Sequence, residues 1–163
     1  MNRTQIETPT TELIERAIDA GDAGEAKRLL QHMTTDWMRN KDHSINWITS
    51  LLSFIGRRLG EDAVEEALRD FGERFLRARR ATAGEPPGAR KVMEGVARGM
   101  KANGAEVRFE EDAEKFILSF RCGSGGKLID EGAYGEPKGY LTLRDAGPRT
   151  FGRDELPVYC AHC

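Results

Sequence analysis

The chain has 163 residues, 32% of them charged, and a formal net charge of −2. That length fits one domain, or a helical half and a small β half sharing a core, and the near-balanced charge offers no global field for nucleic acid. The longest apolar runs are too short to span a bilayer and nothing resembles a secretory leader, so the expected address is cytoplasmic, with no membrane partner.

Residues 1–9 lack periodicity and end in Thr8-Pro9, which predicts a frayed arm. Thr10 or Thr11 is placed to cap a short helix through Ala20, with Leu13, Ala17 and Ile18 inward. Gly21-Asp22 stops it, and Asp22 caps a second helix whose apolar positions are Ala26, Leu29, Leu30 and Met33. A pause is expected near Thr34-Thr35. The strongest helical signal runs from Asp36 to Leu59, with Gly60 as its C′ residue. Met38, Ile45, Ile48, Leu52, Ile55 and Leu59 form one stripe, and Trp47, Leu51 and Phe54 form a second beside it. Together they predict a broad apolar arc facing a bundle, with Asp42, Asn46, Thr49, Ser53 and Arg57 on the wet side. His43 falls at the border of arc and polar face.

Glu61 and Asp62 suit the positive end of the next helix, which carries Val64, Ala67, Leu68, Phe71 and Phe75 inward. Its basic end, Arg77-Ala-Arg-Arg80, complements the helix dipole or touches an acidic partner. Ala81 to Gly88 is a clear break, and a helix from about Ala89 to Ala102 follows, ended by Asn103-Gly104. From there the period changes from 3.6 to 2. Val107 and Phe109, then Phe116, Leu118, Phe120 and Cys122, predict an antiparallel hairpin turning at Glu111-Asp112. Lys127 to Ile129 and Tyr140 to Leu143 are expected to add strands between Gly- and Pro-rich connections.

All three cysteines lie in the last third of the chain: Cys122 at the head of C-G-S-G-G, and Cys160 and Cys163 in C-A-H-C. In a reducing compartment such thiols are metal ligands or catalytic groups more readily than disulfides. One C-x-x-C pair and a third thiol on a strand end suit a tetrahedral, thiolate-rich site for Zn2+, with Cys122, Cys160, Cys163 and His43 as the expected ligands. His162, His32 or a water compete with His43 for the fourth place. Gly123 to Gly126 reads as a turn that frees the backbone to approach the metal, or as an anion nest. No P-loop, H-E-x-x-H, G-x-S-x-G, G-x-G-x-x-G or second zinc knuckle is present.

The fold expected is α+β. A helical bundle over residues 1–103 packs on a small antiparallel sheet over 104–163, which carries the metal site. The function expected is zinc binding, as a hydrolase- or lyase-type metalloenzyme acting on a small-molecule substrate, with His43 or His162 moving protons. A binding or adaptor module with a structural zinc is the alternative. Thiol redox chemistry through Cys160 and Cys163 is a third reading.

Overall fold

The structure, a computed structural model, describes residues 6–82, 88–112, 114–144 and 155–162. It is mostly helical with small antiparallel sheets, an α+β protein. In order come α1 (Thr10–Asp19), α2 (Ala23–Leu59), α3 (Glu61–Thr82), α4 (Ala89–Ala102), β1 (Glu106–Glu111), β2 (Phe116–Arg121), α5 (Gly125–Asp130), β3 (Thr142–Leu143) and β4 (Leu156–Pro157). A 3-10 turn over Val158–His162 follows. The chain divides into two compact units, Met1–His43 and Ser44–Cys163. Among the described residues no helix is long and apolar enough to cross a membrane.

In the first unit, Gly21 takes a left-handed φ of 71° and ends α1. Asp22 then caps α2 by accepting the Glu25 N–H at 2.9 Å. Ala17 and Leu29 are buried, whereas Ile18 and Leu30, expected inward, are exposed. The pause expected at Thr34-Thr35 is absent. Both hydroxyls donate back to carbonyls one turn earlier, Leu30 at 2.9 Å and Gln31 at 3.0 Å, so the helix keeps its ladder through them.

In the second unit Ile45 and Leu52 of the first expected stripe are buried, but the second stripe turns outward and part of the expected wet side turns in. Thr49 is 0% and Ser53 2% exposed, whereas Trp47 is 64% and Phe54 61% exposed. Each of the polar side chains on the inner face has a reason to be there. The Thr49 hydroxyl donates to the Ile45 carbonyl at 2.6 Å. The Ser53 hydroxyl accepts the Leu141 N–H at 3.0 Å. The Asn46 amide oxygen accepts from the Tyr140 hydroxyl at 2.8 Å and from the Lys138 ammonium at 2.9 Å. Arg57 donates to the Gly139 carbonyl. A Cβ on Gly56 would stand 2.3 Å from a Leu141 methyl. Small and hydrogen-bonding residues at helical spacing thus form a groove into which residues 138–141 are laid, and burial follows from satisfied polar groups.

Two clusters form the core of this unit. Leu52, Val64, Leu143 and Val158 make one, with Ile55, Leu68, Leu141 and Ala161 packed against it. Ile45, Leu128 and Ala133 make the other, with Tyr134, Tyr140 and Tyr159 around them. Gly60, at φ 92°, closes α2 and lets α3 start at once. Val64 faces the core, but Phe71 and Phe75, expected inward, are exposed and stack on each other at 6.1 Å. The Glu61 carboxylate accepts the Arg144 N–H at 3.1 Å, which ties the start of α3 to the end of β3.

The hairpin forms in the expected place, with Val107 opposite Phe120, Phe109 opposite Leu118 and Glu111 opposite Phe116. Asp112 shapes its turn by accepting the N–H groups of Glu114 and Lys115. Helix α4 lies against both strands, and Arg90 pairs with Glu111 beside the Phe116 ring. Lys127 to Ile129, expected as a strand, belongs to helix α5. The Leu128 N–H bonds to the Ser124 carbonyl at 3.1 Å, and one helical turn suffices to bury Leu128.

Candidate functional site: the thiol turn

β2 ends at Arg121, and Cys122 opens the turn that leads into α5. The turn is tight because Gly123 meets backbone. A Cβ there would stand 2.4 Å from the Asn103 carbonyl oxygen and 2.6 Å from that of Gly104, so only glycine lets β2 pass the end of α4. The chain then brings two sulfurs to consecutive residues. A Cβ on Gly125 would lie 2.8 Å from the Cys160 sulfur and 3.0 Å from the Tyr159 ring. A Cβ on Gly126 would lie 2.9 Å from the Cys122 Cβ and 3.8 Å from its sulfur. Both thiols are half-buried, and neither is in a disulfide. The Ser124 N–H donates to the Cys122 sulfur at 3.4 Å, which fixes its direction. The 3-10 turn Val158–His162 carries Cys160, held by the fully buried Val158 and by the bond from its N–H to the Leu141 carbonyl.

Three tyrosines line the same core. The Tyr134 ring meets that of Tyr140 edge-on at 6.0 Å. The Tyr134 hydroxyl is buried and meets no hydrogen-bond partner. Burial first, and then the neighbouring Cys160, push this phenol well above its ordinary pKa; the Tyr159 backbone pulls weakly the other way without reaching hydrogen-bond geometry. Sequence reasoning passed over Tyr134, because a tyrosine in a Gly-rich connection has no periodic signal. The nearest hint was the run of aromatic hydroxyls at Tyr134 and Tyr140 flanking Gly135 to Gly139.

The zinc-binding function expected from the sequence is overturned, in both its metalloenzyme and its structural-zinc forms. Among the described residues no group of three or more His, Cys, Asp or Glu is arranged to hold a metal ion. A tetrahedral zinc needs four nitrogen or sulfur ligands. Here the side chains of Cys122 and Cys160 lie against Gly126 and Gly125 respectively. Of the other expected ligands, Cys163 and the His162 side chain lie outside the described residues. His43 is exposed. His32 lies 3.0 Å from Asp36 on its own helix. Comparisons with protein-family models, curated proteins and solved structures find no match for the chain.

Proposed function

We propose that this chain carries a dithiol redox centre in which Cys122 and Cys160 interconvert between two thiols and one intramolecular disulfide. The observation that supports it is the glycine pair. Gly125 and Gly126, neighbours in the first turn of α5, give up their side-chain space to the Cys160 and Cys122 side chains respectively. The two thiols are 38 positions apart in sequence, so their arrival at one turn is a property of the fold. A disulfide requires α-carbons within about 7 Å, and close approach of backbone is what glycine permits.

The chemistry balances with a low-molecular-weight disulfide such as glutathione disulfide as oxidant. The Cys122 thiolate attacks one sulfur and releases one glutathione thiolate. The Cys160 thiolate then attacks the Cys122 sulfur and releases the second. Two protein thiols are oxidised, one disulfide is reduced, and each protein thiol's proton passes to a departing glutathione.

The test is equilibration of the purified chain in glutathione buffers of increasing oxidised fraction, followed by acid quench, alkylation and peptide mass spectrometry. A Cys122–Cys160 linked peptide should appear across a two-electron transition. Cys160→Ser should leave glutathione bound at Cys122. A mixed disulfide at Cys122 that persists while Cys160 remains open to alkylation would overturn the proposal, and so would exclusive pairing of Cys160 with Cys163.

A further inference from the structure

The hairpin in the second unit has two strands, and neither β1 nor β2 has any other backbone hydrogen bond along its length among the described residues. Two open edges invite a third strand, and a two-stranded ribbon is marginal by itself. The edges differ in charge. β1 reads E-V-R-F-E-E and is guarded by ionised groups, whereas β2 reads F-I-L-S-F-R with one charge at its end. That charge is already engaged, because Arg121 pairs with Asp130 at 2.9 Å. Charged edges resist strand addition and apolar ones accept it.

β2 is also its own complement. Phe116, Leu118 and Phe120 share one face of the hairpin, as their partners Glu111, Phe109 and Val107 show. An antiparallel copy centred on Leu118 sets Phe116 opposite Phe120 of the other copy, Leu118 opposite Leu118, and Ile117 opposite Ser119. Over residues 116–120 each residue then meets one from the same face, as antiparallel pairing demands, and Arg121, already paired with Asp130, falls opposite Lys115 at the rim. A twofold interface needs such a self-complementary patch. Phe120 remains 45% and Ile117 42% exposed although α4 lies against the hairpin, so there is apolar surface left to cover.

We infer that β2 is the dimer edge of this protein: a second copy of the chain adds its own β2 antiparallel, around a twofold axis at Leu118, to make a continuous four-stranded sheet. The inference is independent of the thiol centre, since reduced chain is expected to dimerise equally well.

Sedimentation equilibrium of the reduced full chain, from low to high micromolar concentration, should show a monomer–dimer equilibrium. Phe120→Lys places a cation at two symmetry-related Phe–Phe contacts and should weaken it roughly a hundredfold. Because that variant is open to misfolding, a second readout is used. Single cysteines at Ile117, Leu118 and Ser119 are compared in a chain whose three native cysteines are serine and whose dimer has been checked. Leu118→Cys alone faces its own copy, at the 4.5–5.5 Å Cβ spacing of directly opposed residues, and should cross-link fastest under mild oxidation. A monomer at every concentration overturns the inference. A dimer lost with Trp47→Lys but kept with Phe120→Lys, or cross-linking that favours a position other than 118, overturns it as well.

Discussion

Among the described residues of the first unit, exposed side chains pair along one helix over three or four residues, as Arg16 does with Glu12, Arg28 with Glu25 and His32 with Asp36. In Ser44–Cys163 the bonds that define the groove join residues far apart in sequence. Arg57 reaches Gly139, Ser53 reaches Leu141 and Asn46 reaches Tyr140, at separations of 82, 88 and 94 residues. The first kind of interaction exists in any helix that forms, is exposed, and contributes a few tenths of a kcal/mol per pair. The second kind exists only when the tail is folded onto α2, so it is formed with the core and lost with it. The contrast teaches that α2 is specified locally in its first half and by tertiary partners in its second.

The sharpest break of that contrast is a methyl group. Gly123→Ala drives a Cβ to within 2.6 Å of three backbone atoms of Asn103 and Gly104, and backbone cannot swing aside as a side-chain tip can. We expect a loss of about 3 kcal/mol, at the upper end of overpacking costs. In the first unit, a Cβ on Gly24 meets nothing closer than 3.5 Å, so Gly24→Ala should gain roughly 0.5 kcal/mol through helix propensity. Urea denaturation of both variants checks the pair. Equal and small effects would mean that the second unit yields as easily as the first.

A smaller effect tests the buried polar stripe. Ser53→Ala removes the acceptor for the Leu141 N–H in a place that water does not reach, and should cost about 1–2 kcal/mol. Thr35→Ala removes only an exposed back-bond to Gln31 and should be neutral or slightly stabilising. Amide exchange gives the local readout: the Leu141 N–H should lose protection in Ser53→Ala. If it does not, the groove is held by packing of Leu141 alone.

These differences mark how far the fold was legible from sequence. α1, α4, the hairpin and the turns at Gly21, Gly60 and Asn103-Gly104 were readable because each depends on neighbours within a few residues: a cap, a left-handed glycine, an alternation. The faces of α2 were readable only in part, at Ile45 and Leu52. Hydropathy assigns Thr49 and Ser53 to water and Trp47 and Phe54 to the core, and only knowledge of where Leu141 and Tyr140 arrive reverses that. The strand that leads to Cys122 was readable from its alternation, and the glycines after it as a permissive turn. Their meeting with Cys160 follows from β3 pairing with β4, and two-residue strands have no periodicity to detect. For the same reason thiol spacing alone suggests zinc, since spacing carries no information about what surrounds each sulfur.

Tyr134 supplies the smallest expected change, and one of opposite sign. Its hydroxyl is buried without a hydrogen-bond partner, so the polar group has lost water and gained nothing in return. Tyr134→Phe keeps the ring against Tyr140 and removes only that oxygen, and should stabilise the chain by roughly 0.5–1 kcal/mol at neutral pH. The pH dependence follows from the raised pKa. Above the ordinary phenol value of about 10 an unfolded chain releases this proton, whereas the folded chain, where burial and Cys160 disfavour the phenolate, keeps it. The folded state then binds more protons than the unfolded state, so stability falls as pH rises beyond that point. Tyr134→Phe should flatten this alkaline decline as well as raise the plateau below it. Urea titrations at neutral pH and just above the phenol value measure both. A variant less stable than the parent at neutral pH would show instead that the hydroxyl is bonded, with the Tyr159 backbone as the donor, and that the core around Cys160 depends on it.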